Sequence, residues 1–167
     1  RGPEIVMSPL ELRLEPFQER LLEQIAASRQ AGHHRNLLVS ATGTGKTVMA
    51  AVDYLRLAGE PGRARLLFVA HREEILAQSL ATFRHALRDG AFGELFVDGH
   101  RPDEWREVFA SVQSLAQVDL ATVDPSHFDV VIVDEFHHAA ANTYRALLDH
   151  LQPKVLLGLT ATPERAD

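Results

Sequence analysis

Six short apolar runs punctuate the chain, at residues 37–39, 66–70, 94–97, 108–112, 130–133 and 155–159. Within them apolar residues follow one another without polar alternation, the pattern of strands buried on both faces. Between and ahead of them lie stretches in which apolar residues recur at the helical period: 17–30, 46–57, 73–87 and 143–151. The mixed-charge segment around Trp105 also reads as helical. This alternation predicts an α/β fold, a mainly parallel sheet with helices on both faces. Ligands of such sheets sit beyond the carboxyl ends of the strands. The residues that follow each strand therefore carry the functional information.

The first run leads into Ser40-Ala41-Thr42-Gly43-Thr44-Gly45-Lys46-Thr47 and then a helix-compatible stretch. Gly43 and Gly45 let the backbone curl so that successive N–H groups face inward on phosphate oxygens, and the helix N-terminus adds partial positive charge. In such a loop, which includes Thr42 and Thr44, Lys46 reaches the β- and γ-phosphates and the Thr47 hydroxyl is a ligand for Mg²⁺. The strict pattern opens on Gly where this chain has Ser40, which shifts the reading away from GTPases and small kinases. Lys46 is one of only two lysines among 17 basic residues, so a compact ammonium is wanted here in a chain that otherwise uses arginine.

The fifth run ends in Asp134-Glu135-Phe136-His137-His138. Two adjacent carboxylates at the end of an apolar strand are costly without a cation. Paired with the upstream loop, Asp134 fits the acid that holds Mg²⁺ opposite the loop hydroxyl. Glu135 fits the base that orients and deprotonates the attacking water.

With these residues the chain resembles superfamily 2 helicases and translocases of the DExH type. Residues 41–47 resemble their motif I and Asp134-Glu135-Phe136-His137 their motif II. Val69-Ala70-His71-Arg72, running on through 76–78, is similar to motif Ia, and Ser111-Val112-Gln113-Ser114-Leu115 to the hydroxyl-bearing motif that precedes motif II. Leu159-Thr160-Ala161-Thr162-Pro163 resembles motif III, and Leu14-Glu15-Pro16-Phe17-Gln18 the adenine-reading segment, with Glu15 and Phe17 where many relatives carry Arg and Tyr. The wording is most similar to restriction-type DNA helicases, the motor subunits of type I and type III restriction enzymes. Within these it resembles bacterial helicase-nucleases with a phospholipase-D-like nuclease domain.

The resemblance implies a RecA-like P-loop NTPase lobe that binds ATP and Mg²⁺ and couples hydrolysis to movement on duplex DNA, in restriction or repair. It assigns adenine recognition to Gln18, DNA-backbone contacts to His71, Arg72, Ser111 and Gln113, and coupling to Thr160 and Thr162, and it makes His137 the hydrogen-bond link from motif II toward motif III. It also implies a second RecA-like lobe that closes over ATP and supplies an arginine finger, worth ~10³ to 10⁵ in rate. A lobe alone is then expected to bind nucleotide weakly and hydrolyse it negligibly. His100 and Arg101, which follow Gly99 after the third strand, are further candidate phosphate contacts.

Composition narrows this picture. With 167 residues and 46% hydrophobic content, the chain reads as one domain, residues 1–167, in which 1–35 form a leading helix and the adenine-reading segment. It opens at Arg1 without an initiator Met and reads as a fragment of a larger protein. The net charge of −6 excludes a broad basic field and confines nucleic acid to a local groove. The absence of Cys removes thiolate metal sites, and with no signal peptide or span in the pattern the expected location is the cytoplasm. Adjacent histidines at 33–34 and 137–138 lack metal-ligand spacing. Trp105 is expected to pack, and Asp103-Glu104 beside it disfavours nucleic acid. Two rival classes remain in view. A small-molecule kinase or GTPase leaves Thr160-Ala161-Thr162 unexplained, and a nucleotide-dependent interaction module has no use for Glu135.

Overall fold

The computed structural model describes residues 13–41, 43–59, 64–135 and 141–161. Thr42, His137 and Thr162 lie outside the described residues, and the Thr44 side chain is likewise not described. Each apolar run forms a strand: β1 Arg35–Ser40, β2 Leu66–Ala70, β3 Glu94–Phe96, β4 Glu107–Ser111, β5 Val130–Asp134 and β6 Val155–Ala161. Among the described residues they make one six-stranded sheet in the order β1-β6-β5-β2-β4-β3, with every pairing parallel. The helices are α1 Pro16–Gln30, α2 Gly43–Ala58, α3 Glu73–Leu87, α4 Val112–Ala116 and α5 Ala141–His150.

Successive strand residues feed two layers. Leu66, Phe68, Phe109, Ile132 and Leu157 pack with Leu22, Met49, Tyr54 and Phe83 of α1, α2 and α3. Leu67, Val69, Val131 and Val133 pack with Leu115, Tyr144 and Leu147 of α4 and α5. Burial on both faces explains the unbroken apolar runs of the inner strands. The edge strand β1 departs from that expectation: Leu37 and Val39 remain 52% and 44% exposed, because α1 and α2 cover only the face that carries Leu38.

The segment around Trp105 is a second departure, since it forms a loop between β3 and β4 and not a helix. The Glu94 carboxylate accepts the backbone N–H groups of Asp103 (2.6 Å), Glu104 (3.1 Å) and Trp105 (3.0 Å). That local capture competes with helix formation. Trp105 closes the loop with φ of 59°. Just before β3, Gly93 sits at φ +78°, a backbone region that side chains rarely adopt, and a Cβ there would crowd Leu80 Cδ1 at 2.6 Å and Phe109 Cε1 at 3.1 Å.

Helix α1 is tied to α2 by a buried fork-to-fork pair, Arg29 Nη1 and Nη2 donating to Asp53 Oδ1 (2.7 Å) and Oδ2 (2.8 Å), and by Arg56 with Glu19 at 3.1 Å. Breaking a buried pair by removing one partner strands the other charge. Asp53→Ala is therefore expected to cost about 3 kcal/mol of stability, read as a fall in the urea midpoint, whereas Glu19→Ala at the exposed pair is expected to cost under ~1 kcal/mol.

Candidate functional site

The sheet order brings three chain segments together at one edge. β6 lies between β1 and β5, with Ser40 opposite Ala161 and Asp134 opposite Leu159. The turn from β1 into α2, the acidic end of β5 and Thr160 thus converge beyond the strand termini, the expected ligand position for such a sheet. Helix α2 begins at Gly43, so its N-terminus and the residues Gly45, Lys46 and Thr47 of its first turns stand at this edge.

Lys46 is the hub. Its Nζ donates to Glu135 Oε1 at 2.6 Å and lies 3.0 Å from Asp134 Oδ1, and its side chain is 3% exposed. Burial by itself lowers the pKa of an ammonium. Here the hydrogen bonds and charges of Glu135 and Asp134 outweigh it, and Lys46 is held above its ordinary range. The two acids differ in setting: the Asp134 side chain is 4% exposed and that of Glu135 38%. Glu135 sits at φ 53°, an uncommon backbone region for a residue with a side chain and one that concentrates at functional sites. Its N–H donates to Asp134 Oδ1 at 2.8 Å. The kink at the strand end thereby turns one carboxylate inward beneath Lys46 and leaves the other at the open mouth.

The donor set fits a nucleotide polyphosphate with Mg²⁺. Two carboxylates share one ammonium at the edge of an apolar strand, and the Thr47 hydroxyl and Asp134 carboxylate are hard oxygen donors of the kind Mg²⁺ prefers. Among the described residues no cluster of three or more His, Asp or Glu is poised to hold a metal alone. Mg²⁺ needs none, since it is ordinarily shared between one or two carboxylates and substrate phosphates. Thr160 is buried on β6 one residue beyond the partner of Asp134. Gln18 is buried in the first turn of α1, where its Oε1 accepts the Glu15 N–H at 2.8 Å. The amide oxygen thus caps its own helix, which leaves the amide NH₂ as the group to be offered to a base.

Farther along the same edge, the ends of β2, β3 and β4 enclose a groove of about 610 Å³. It gathers His71, His100, Arg101, Ser111 and Gln113, all expected from the sequence, together with Gln117 and the acidic Glu73 and Asp98. Arg72 is not part of the lining. It is exposed at the N-cap of α3, with its guanidinium 3.5 Å from Glu74. Ser111 is already engaged: its Oγ accepts the Ser114 N–H and donates to Ser114 Oγ, both at 3.0 Å, to cap α4. Gln113 and Gln117 are the exposed amides of this wall. The sequence did not point to Gln117, because α4 is too short for its period to register.

Fold and site together define a RecA-like ATP-binding lobe of the superfamily 2 kind. The chain belongs to the ResIII family, described as type III restriction enzyme, res subunit, whose profile matches residues 11–165. It is 32% identical over 165 residues to a putative mitochondrial ATP-dependent helicase, irc3, of Schizosaccharomyces pombe, covering 93% of this chain and 27% of that protein. It is 30% identical to the type I restriction enzyme EcoAI endonuclease subunit of Escherichia coli, covering 89% of this chain and 19% of that subunit. The fold matches a nuclease-deletion mutant of the type ISP restriction-modification enzyme LlaGI, solved with a DNA substrate mimic, with a TM-score of 0.69 at 17% identity over 92% of this chain and 18% of that one. The chain thus spans about a quarter or less of the proteins it resembles. Among the described residues no helix is long and apolar enough to cross a membrane.

Proposed function

We propose that this chain is the nucleotide-binding half of an ATP-driven motor that acts on duplex DNA, with a second RecA-like lobe completing the ATP site. The observation that carries the reading is Lys46 bridging Asp134 and Glu135 at 3.0 and 2.6 Å. Without nucleotide this ammonium is shared between both acids. A polyphosphate competes for it, and as Lys46 turns to the phosphates Glu135, the more exposed of the two acids, loses that contact and can accept a proton from the attacking water. Asp134 and Thr47 would hold Mg²⁺, which supplies charge neutralisation on the phosphate oxygens. Gln18 contacts the base. Thr160, next to the partner of Asp134 on β6, is placed to sense the change at β5 and pass it on.

The groove supports the DNA half of the reading. It presents Arg101, two histidines and two exposed amides beside the carboxylates of Glu73 and Asp98, on a chain of net charge −6, a mixed patch whose arginine and amides can donate to a nucleic-acid backbone. The LlaGI relative by fold was solved with a DNA mimic, and the family profile describes a restriction subunit; both favour DNA. A nuclease domain elsewhere in the protein belongs to the same proposal.

The test is ATPase activity with and without duplex DNA, for this chain alone and for a longer chain carrying both lobes. The two-lobe chain is expected to be stimulated by DNA. The single lobe is expected to turn over at least ~10³-fold more slowly, for want of the arginine finger. Strong DNA-stimulated turnover by the single lobe would contradict the two-lobe site, and phosphate transfer to a metabolite in place of water would return the kinase reading.

A further inference from the structure

The loop between β3 and β4 is built with more care than a connection requires. Val97 and His100 exchange backbone hydrogen bonds at 3.2 and 3.0 Å around Gly99, which sits at φ +83°. Beyond it, the Arg101 guanidinium carbon lies 5.5 Å from the centroid of the Phe96 ring and 5.2 Å from that of Trp105. Those two rings meet edge-on at 5.3 Å. Behind Trp105, His127 Nε2 lies 2.7 Å from the Trp105 carbonyl oxygen. The loop is then fastened by Glu94, whose two carboxylate oxygens take the N–H groups of Asp103, Glu104 and Trp105. A surface arginine loses side-chain rotamer freedom when it is fixed by a ligand. An arginine already held against aromatic rings has given up part of that freedom, and its N–H edge stays available.

We infer that Glu94 is a positioning residue for nucleic acid: by pinning residues 103–105 it sets Trp105 against Phe96 and holds Arg101 ready to grip a backbone phosphate in the groove. This rests on the reading of the groove as a DNA site. It makes a prediction opposite in sign to simple electrostatics. A carboxylate beside a DNA groove repels phosphate, so removing its charge should tighten binding if charge alone mattered. If Glu94 acts through the loop, removing the carboxylate loosens binding although the chain becomes less negative. Gln is a sharp probe because its NH₂ would face one of the backbone N–H donors that a carboxylate oxygen now accepts.

Trp105 is the chain's single tryptophan, so its emission reports on this loop directly. A duplex of ~20 base pairs titrated at ~50 mM salt, where phosphate contacts are strongest, is expected to change Trp105 emission and to bind Glu94→Gln roughly tenfold more weakly than the parent, with the free variant's emission already altered. Arg101→Ala is expected to show a similar loss, and the Glu94→Gln, Arg101→Ala double variant to bind no more weakly than Arg101→Ala alone, as two residues acting through one contact require. A native circular dichroism spectrum certifies the fold. Should Glu94→Gln fail to fold, Glu94→Asp keeps the charge but shortens the reach, and the same weakening is expected. Unchanged or tighter DNA binding by the Glu94 variant overturns the inference while leaving the groove standing. Unchanged binding by Arg101→Ala overturns the assignment of the groove itself.

Discussion

Glu135→Gln in a two-lobe chain is expected to lower ATP turnover by ~10² to 10⁴, the usual loss when a general base is removed, while nucleotide binding tightens roughly threefold to tenfold. The first effect follows from the position of Glu135, the more exposed of the two acids and the one at the mouth of the site. The second follows from its 2.6 Å contact with Lys46. That contact competes with the phosphates, and a neutral amide competes less. The opposite movement of kcat and affinity distinguishes this account from one in which Glu135 only supports the fold, where both would decline. Steady-state turnover together with equilibrium binding of a fluorescent ADP reads both.

The second large effect belongs to Lys46→Met, which keeps the stem and removes the charge. Nucleotide affinity is expected to fall about 100-fold, or ~3 kcal/mol, the scale of a charge-assisted contact to phosphate. Stability is expected to fall as well, by about 3 kcal/mol, because Asp134 is left buried without its cation. The pH dependence of that loss is fixed in sign. Lys46 titrates above its ordinary value in the folded state, so its contribution is complete below the ordinary lysine pKa of about 10.4 and is lost as pH rises through the elevated folded value. Chemical denaturation of the two proteins should therefore show a constant gap from pH 7 to about 9 that narrows in strong alkali. A gap that widened in alkali would contradict the ion-pair account.

How much of this was legible in the sequence differs by element. The inner strands are plain, because burial between two helical layers keeps their central positions apolar on both faces, as in all of β2, residues 108–110 of β4 and residues 130–133 of β5. β1 is an edge strand with one face open, and no local signal in its short apolar run distinguishes it from the others. The meeting of Lys46 with Asp134 and Glu135 was readable as two motifs, but it takes the sheet order to place β1 and β5 on either side of β6. Ser111 and Gln18 stood out as ligand types, and the structure gives both a helix-capping task that local spacing also encodes. Arg72 pairs with a neighbour on its own helix and stays out of the groove. The Trp105 loop was misread as helix because its organiser, Glu94, stands nine to eleven positions earlier, beyond any helical period.

The central claim is that Lys46, Thr47 and Asp134 form a magnesium-dependent nucleotide site in this lobe. The most direct test is calorimetric titration of the 167-residue chain with ADP in the presence of Mg²⁺ and again in EDTA, alongside Lys46→Met. The account predicts one site that weakens markedly without the metal and is nearly lost in the variant. ADP binding that is indifferent to both Mg²⁺ and Lys46, or no binding by the parent chain, would contradict it.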